Sequence, residues 1–404
     1  MDNWKTVNLG SVCNIKKGEQ LNKLALEDVG DYPCINGGIS PSGYTHKWNT
    51  LENTITISEG GNSCGYINLI KSNFWSGGHC YSLLDIKGFL EKDFLFYALK
   101  GRESLVMDLR VGSGLPNIQQ KAIKAFEFIY PNNKKEQSKI AEILSKVDKA
   151  ISETETIIAK YNRIKTGLMQ DLLTKGIDEK GNIRSEETHE FKDSPLGRIP
   201  KEWSIKRLND CINKSTTITY GIVQTYEHIE DGIPVLRTID LKENGINSVD
   251  NLLRTKKSIS DSYKRTLLLE NDIVCNVRAS VGDFNLVGIE YVGCNTTRGV
   301  ARICPSDEIN NKYLAWFLKS FRNEKQMDLL IKGTTFIDIN IADLRKIFIS
   351  LPNETEQNLI AIKLDKIQSS FEVYNKELLK LKSIKTGLMQ DLLSGKKRVT
   401  HLIN

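Results

Sequence analysis

The chain has 404 residues and a mass of 45.7 kDa, enough for two or three domains that each bury their own core. Apolar residues make up 40% and charged residues 26%, an ordinary globular balance, and no apolar run reaches the length of a membrane span, which excludes a helical membrane protein. The net charge of +6 permits a nucleic-acid partner without requiring one.

The opening MDNWKTVNLG has no basic segment followed by an apolar one, so no signal peptide is expected and the protein is read as cytoplasmic. Residues 1–132 read as a compact mixed domain. Alternating strands around Ile55/Ile57 and Phe126/Phe128/Tyr130 flank a helix expected from Phe94 to Leu109. Glycine gathers in loops at NGG (36–38), EGGNSCG (59–65) and SGGH (76–79), whose tips carry polar side chains.

Residues 133–175 form the first long helix. Apolar or aromatic residues at Ile140, Leu144, Val147, Ile151, Ile158, Tyr161, Ile164, Leu168 and Leu172 step by threes and fours, with Thr154 in the gap. That spacing is a coiled-coil seam, and the helix would span roughly 60 Å at 1.5 Å per residue. Asn133 with Glu136 has the spacing of an N-cap and its capping-box partner. Residues 176–202 are polar, contain Pro195 and Pro200 and lack periodicity, which makes them a linker or a connection lying along the surface.

Residues 203–352 repeat the plan of the first domain more loosely. Trp203 precedes Leu208 as Trp4 precedes Leu9, DGIP (231–234) echoes DYP (31–33), and NDIVCN (271–276) echoes NTITIS (53–58). Trp4 and Trp203 are read as core anchors. Gly112 and Gly333 stand at the same distance before Pro131 and Pro352.

A second long helix, 353–396, and a tail, 397–404, complete the chain. Its seam is Ile360, Leu364, Ile367, Phe371, Tyr374, Leu378, Leu381, Ile384, Leu388 and Leu392, each 220 residues beyond its mate, and Asn353 with Glu356 repeats the start signal. IKTGLMQDLL occurs at 164–173 and again, unchanged, at 384–393. The chain is therefore an internal duplication, predicted to be an α+β protein of two mixed α/β domains separated by two long antiparallel coiled-coil helices with pseudo-two-fold symmetry.

Two features invite a functional reading. The polar loops differ between the halves: Ser58, Glu59, Asn62 and Ser63 in one, Asn276, Arg278 and Ser280 in the other. Two readers of different targets on one frame would look like this, and so would ordinary loop drift. The repeated decapeptide also keeps its outward residues. Gly167 and Gly387 cost their helices about 1 kcal/mol each and suggest close backbone approach. Either recent recombination or a shared partner facing each copy accounts for the identity, and Met169 and Met389 could be partner contacts or core fillers.

Catalytic signatures are missing. There is no phosphate-binding G-x-x-x-x-G-K-[ST], no dinucleotide G-x-G-x-x-G, no N/D-P-P-Y/F string of an amino methyltransferase, and no histidine paired with a G-x-S-x-G serine. The eight cysteines show no C-x-x-C pair, which disfavours zinc and favours reduced, buried thiols. No metal site and no catalytic residue is predicted.

K-T-G-L-M-Q-D-L-L at each helix end, E-Q-x-x-I-A at each start (Glu136, Gln137, Ile140, Ala141; Glu356, Gln357, Ile360, Ala361) and DSPLGRIPKEW at 193–203 strongly resemble the specificity subunit of type I restriction-modification enzymes. The resemblance covers the whole chain, except that the amino terminus begins almost at Trp4 without the LGRIPKEW lead-in. It implies a target recognition domain at 1–132, a spacer helix at 133–175, a second target recognition domain at 203–352 and a second spacer helix at 353–396. Each domain would read one half of a split double-stranded DNA sequence while the helices set the unread gap. Two methyltransferase subunits and the restriction/translocase subunits would be partners carrying the S-adenosylmethionine and ATP sites, with adenine methylated and no cofactor bound by this chain.

On that reading, base contacts need paired hydrogen-bonding side chains on loops that approach the groove. The candidates in the first domain are Ser58, Glu59, Asn62, Ser63, Ser76, His79, Arg110, Ser113 and Asn117. In the second they are Tyr220, Gln224, Arg237, Asn276, Arg278, Ser280, Thr297, Arg298, Thr334 and Thr335, with Arg278 and Arg298 foremost because a guanidinium can hold guanine by two bonds. Partner-binding candidates are Lys165, Gly167, Met169, Gln170, Asp171 and their mates Lys385, Gly387, Met389, Gln390 and Asp391. Two rivals remain: a fused restriction-modification component with hidden nuclease activity, which metal-dependent cleavage would reveal, and a non-functional scaffold donating recognition domains by recombination, which would lack an associated methyltransferase.

Overall fold

The computed structural model describes residues 3–112, 114–242, 245–333 and 337–403. The chain divides into two compact units. One comprises residues 1–157 and 374–404, the other 158–373, so each long helix contributes one half to each unit. The helices are continuous, running Lys134–Thr174 and Glu354–Leu393.

In the first unit a four-stranded antiparallel sheet orders its strands Asn14–Lys17, Cys80–Leu84, Thr54–Ser58 and Ile67–Ile70. A three-stranded sheet places Tyr32–Ile35 between Tyr44–Thr45 and Trp75–Ser76, pairing antiparallel with the former and parallel with the latter. Trp4–Asn8 pairs antiparallel with Glu127–Pro131, which leads into the long helix. The expected helix over Phe94–Leu109 is instead two, Lys92–Lys100 and Glu103–Met107. The break falls at Gly101, where a Cβ would lie 2.8 Å from Leu393 Cδ1 of the second long helix.

The second unit repeats this plan. Thr219–Tyr220, Val300–Ile303, Ile273–Asn276 and Phe284–Leu286 form the equivalent four-stranded sheet. Ile233–Leu236 again pairs antiparallel with one neighbour, Leu253–Thr255, and parallel with the other, Asn295–Thr296. Ser204–Arg207 with Phe348–Leu351 repeats the pair at the domain entrance. The sequence echoes thus mark equivalent strands. Gly112 and Gly333 both take left-handed backbone, φ 97° and 89°.

Each unit has a core shared between sheet and helices. In the first, Ile55, Ile57, Phe94, Leu99 and Phe128 pack with Ile140 and Leu144 from the start of one helix and Leu392 and Leu393 from the end of the other. In the second, Trp203, Ile273, Tyr313 and Phe317 pack with Leu172, Leu173, Ile360 and Leu364. The helix segments run antiparallel within each unit: in the first, Lys385 pairs with Asp148 (2.6 Å) and Lys382 with Glu155 (2.8 Å). The predicted seam is buried at these ends and half-buried between them, but Ile164 and Ile384 remain 40% and 42% exposed.

The helix starts also differ from expectation. Asn133 and Asn353 do cap, accepting from Lys135 N (3.0 Å) and Glu356 N (2.9 Å). Their capping-box partners do not fold back. Glu136 is fully buried and bound by Arg398 through two bonds of 2.6 and 2.7 Å. Glu356 binds Arg184, accepts from Ile177 N (2.9 Å) and from the Trp203 indole (3.2 Å). In both halves, therefore, the carboxylate ties the start of one helix to the segment that follows the other. The adjacent glutamines do parallel work: Gln137 links Pro131 O to Glu91 N, and Gln357 links Pro352 O to Asn310 N. The duplicated E-Q pair is a fastening of the fold.

Residues 176–202 lie along the surface as an ordered connection. They carry a short hairpin of Phe191–Lys192 with Ile199–Pro200, and Ile177 and Ile199 are buried. Trp203 is buried, whereas Trp4 is half-buried with its ring edge-on to Phe94. Seven of the eight cysteines are buried and the eighth half-buried; all are free thiols, and burial pushes those of Cys13, Cys80 and Cys211 up to about 12.

Candidate nucleic-acid interface

At one end of the first domain's sheet, four loops are stitched together by hydrogen bonds to the backbone. Glu59 N donates to His79 O (2.8 Å), Gly61 N to Pro116 O (3.0 Å) and Ile118 N to Glu59 O (2.8 Å), while Asn36 Oδ1 accepts from His79 N (3.0 Å). This gathers Asn62, His79, Arg110 and Asn117 as exposed polar groups, with Ser63 half-buried and bonded to Gly37 O (2.6 Å). Beneath them Glu59 Oε1 accepts from Lys17 (2.5 Å) and Tyr81 (3.0 Å), while its buried Oε2 lies 3.4 Å from His79 Nδ1 with no hydrogen-bond partner among the described residues. Two candidates are corrected. Ser58 donates inward to Gly37 O and Ser76 bonds Ser82 (3.0 Å); both are buried strand-end residues that do not present a surface group.

The second domain gathers the equivalent loops. Ile222 N donates to Thr296 O (2.8 Å), Arg298 N to Ile222 O (2.8 Å), Thr297 N to Leu236 O (2.9 Å) and Ala279 N to Ile337 O (3.0 Å). Tyr220, Gln224, Arg278, Ser280 and Arg298 are exposed there, and Thr297 is half-buried. Asn276 is corrected: it is fully buried and its amide donates to Thr238 O (3.1 Å) and Asp283 (3.3 Å). Arg237 is half-buried with its guanidinium on the buried Asp240 (2.9 and 3.2 Å), so its charge is already neutralised. Ser113, Thr334 and Thr335 lie outside the described residues.

Sequence reasoning missed several neighbours. Lys17 and Gln20 reach this end because Gly18 passes so close to the loop that a Cβ would lie 2.3 Å from Gly77 O; Gly221 does the same at Thr296 O, 2.0 Å. Asp338 is the other omission. Its backbone forms antiparallel β-bridges with Arg278 and Lys332, as that of Asn117 does with Gly60 and Val111. The shared spacing of Gly112 to Asn117 and Gly333 to Asp338 was the available signal.

The two copies of the decapeptide have identical burial, residue for residue. Met169 and Met389 are half-buried against the cores of their units. Lys385 pairs with Asp148, Lys165 lies 5.6 Å from the Trp316 and Phe371 rings, Asp171 pairs with Lys175 (2.8 Å), and Asp391 with Lys397 (2.8 Å). Thr166, Gly167 and Gln170, with their mates, are exposed. The expected close backbone approach at the glycines is absent: a Cβ on Gly167 or Gly387 would meet nothing within 4 Å.

Residues 1–164 and 200–383 each match the type I restriction modification DNA specificity domain. The chain belongs to this family. Among relatives of the specificity subunit, that of the type I restriction enzyme MjaVIII from Methanocaldococcus jannaschii is 28% identical over 99% of this chain and 94% of its own. The EcoBI specificity subunit of Escherichia coli is 28% identical over 48% of this chain and 41% of its own. The crystal structure of the type I S subunit from M. genitalium shares the fold, with a TM-score of 0.70, 22% identity and coverage of 97% and 96% of the two chains. Specificity subunits of this family recognise DNA. Among its described residues no group of histidine, cysteine and carboxylate side chains could hold a metal ion, and no helix is long and apolar enough to cross a membrane.

Proposed function

We propose that this specificity subunit reads a bipartite DNA target, one half per recognition domain, and directs methyltransferase and restriction subunits to it. The observation that carries the reading is that equivalent loop ends on the two domains present different chemistry. The first offers Asn62, His79, Arg110 and Asn117; the second offers Gln224, Arg278, Arg298 and Asp338. Amide and guanidinium groups suit paired bonds to adenine and guanine edges respectively, so two such sets on one frame suit two different half-sites. The long helices set the unread gap. S-adenosylmethionine and ATP are bound by the partner subunits, which perform adenine methylation and translocation.

Hydroxyl-radical footprinting of the subunit assembled with its methyltransferase tests this. Two protected segments separated by an accessible gap are expected, and an Arg278→Ala, Arg298→Ala variant should weaken only one of them. A single continuous footprint, or equal weakening of both segments, would contradict the reading.

A further inference from the structure

A large apolar side chain stands among the polar groups at the loop end of the first domain. Leu115 is 86% exposed, and Val111, at the start of the same turn, 54%. Apolar surface of this kind gains only on leaving water. The turn that carries it is cross-bonded at its base, Val111 N to Asn117 O (2.8 Å) and Asn117 N to Val111 O (3.0 Å). It is also fastened to the neighbouring loop, since Gly61 N donates to Pro116 O (3.0 Å) and Ile118 N to Glu59 O (2.8 Å). Gly112 supplies the left-handed backbone, φ 97°, that lets the chain reverse, and Pro116 restricts the residue before it, Leu115 itself, to extended backbone. The leucine is therefore presented to solvent on a braced support.

Its surroundings indicate what it meets. Arg110 and Asn117 flank the turn and Asn62 follows Gly61, all of them exposed groups of the kind that bond phosphates and base edges. A leucine projecting from such a set offers no hydrogen bond, but it can slide between stacked base pairs, as leucine and phenylalanine wedges do. The duplication points the same way. Leu115 stands three residues beyond Gly112, and three beyond Gly333 the sequence has Phe336, which lies outside the described residues. A bulky apolar residue thus occupies this position in both halves, while Arg110 and Asn117 give way to Ile331 and Asp338. We propose that Leu115 inserts between two stacked base pairs of the half-site read by the first domain, so that this domain favours an easily unstacked pyrimidine–purine step at that place. The inference rests on the proposed reading of one half-site per domain.

Fluorescence of 2-aminopurine tests it, using the full chain assembled with its methyltransferase on duplexes of the motif that the complex methylates. The probe is moved through both half-sites base by base, leaving out the methylated adenine. The wild-type complex should brighten one step in one half-site only. Leu115→Ala should lose that signal and bind about tenfold more weakly, whereas Leu115→Met should keep both. No brightened step, or one that persists in Leu115→Ala, would overturn the wedge alone, provided that the wild-type footprint still shows two protected segments. A weakening by Leu115→Ala that replacing one thymine with deoxyuridine reproduces, with no brightened step, would overturn it in favour of a thymine-methyl contact. A continuous wild-type footprint, or no specific binding, would overturn both this inference and the reading beneath it.

Discussion

Arg184 and Glu356 have side chains only 9% and 6% exposed, and each is the other's charge partner. Removing one leaves a buried uncompensated charge, so Arg184→Ala should destabilise the second unit by about 3–5 kcal/mol. Chemical denaturation measures this, and a loss below about 1 kcal/mol would mean that water reaches the carboxylate. Gly167 behaves oppositely. Its Cβ space is open, so Gly167→Ala should raise the stability of the isolated chain by about 1 kcal/mol. If the exposed repeat face receives a methyltransferase subunit, the same substitution should weaken assembly, as should Gln170→Ala with Asp171→Ala. Pull-down with the methyltransferase separates the cases: undiminished complex by all variants would leave recombination as the explanation of the identical decapeptides.

At the scale of elements, the long helices are the parts with a length to test. A four-residue insertion at equivalent points of both, after Glu155 and after Asn375, adds one turn or roughly 6 Å to each. The unread gap should lengthen by roughly one or two base pairs at about 34 Å per DNA turn. An unchanged gap in methylation maps would show that the helices do not set it. These helices were legible because their periodicity, asparagine caps and terminal repeats are local signals. The destination of Glu136 and Glu356 was not, since a capping box and a buried ion pair share the same spacing, and Arg398 and Arg184 lie far away in sequence. Gly101 misled for a related reason: nothing nearby in sequence announces that Leu393 packs against it.

For the whole molecule, the duplicated architecture was legible from echoes such as NTITIS and NDIVCN, which turn out to be equivalent central strands. The loop ends were legible as regions but only partly as residues. Ser58, Ser76 and Asn276 sit in polar, glycine-rich stretches that look like loop tips, yet they end strands and point inward. Gln20 and Asp338 were overlooked because their exposure depends on the backbone crossing at Gly18 and on the bridge to Arg278. The central claim concerns both domains together: one chain, two different half-sites, one fixed gap. Within that claim Arg278→Ala should cost about 1–3 kcal/mol of discrimination at a single base position and leave the other half-site untouched, a change readable by binding competition among single-base variants. Sequencing adenine methylation genome-wide in cells that carry this chain with its methyltransferase tests the claim most directly. The account predicts a split motif of two unlike half-sites separated by a constant run of unread bases; a contiguous motif, or two identical half-sites, would contradict it.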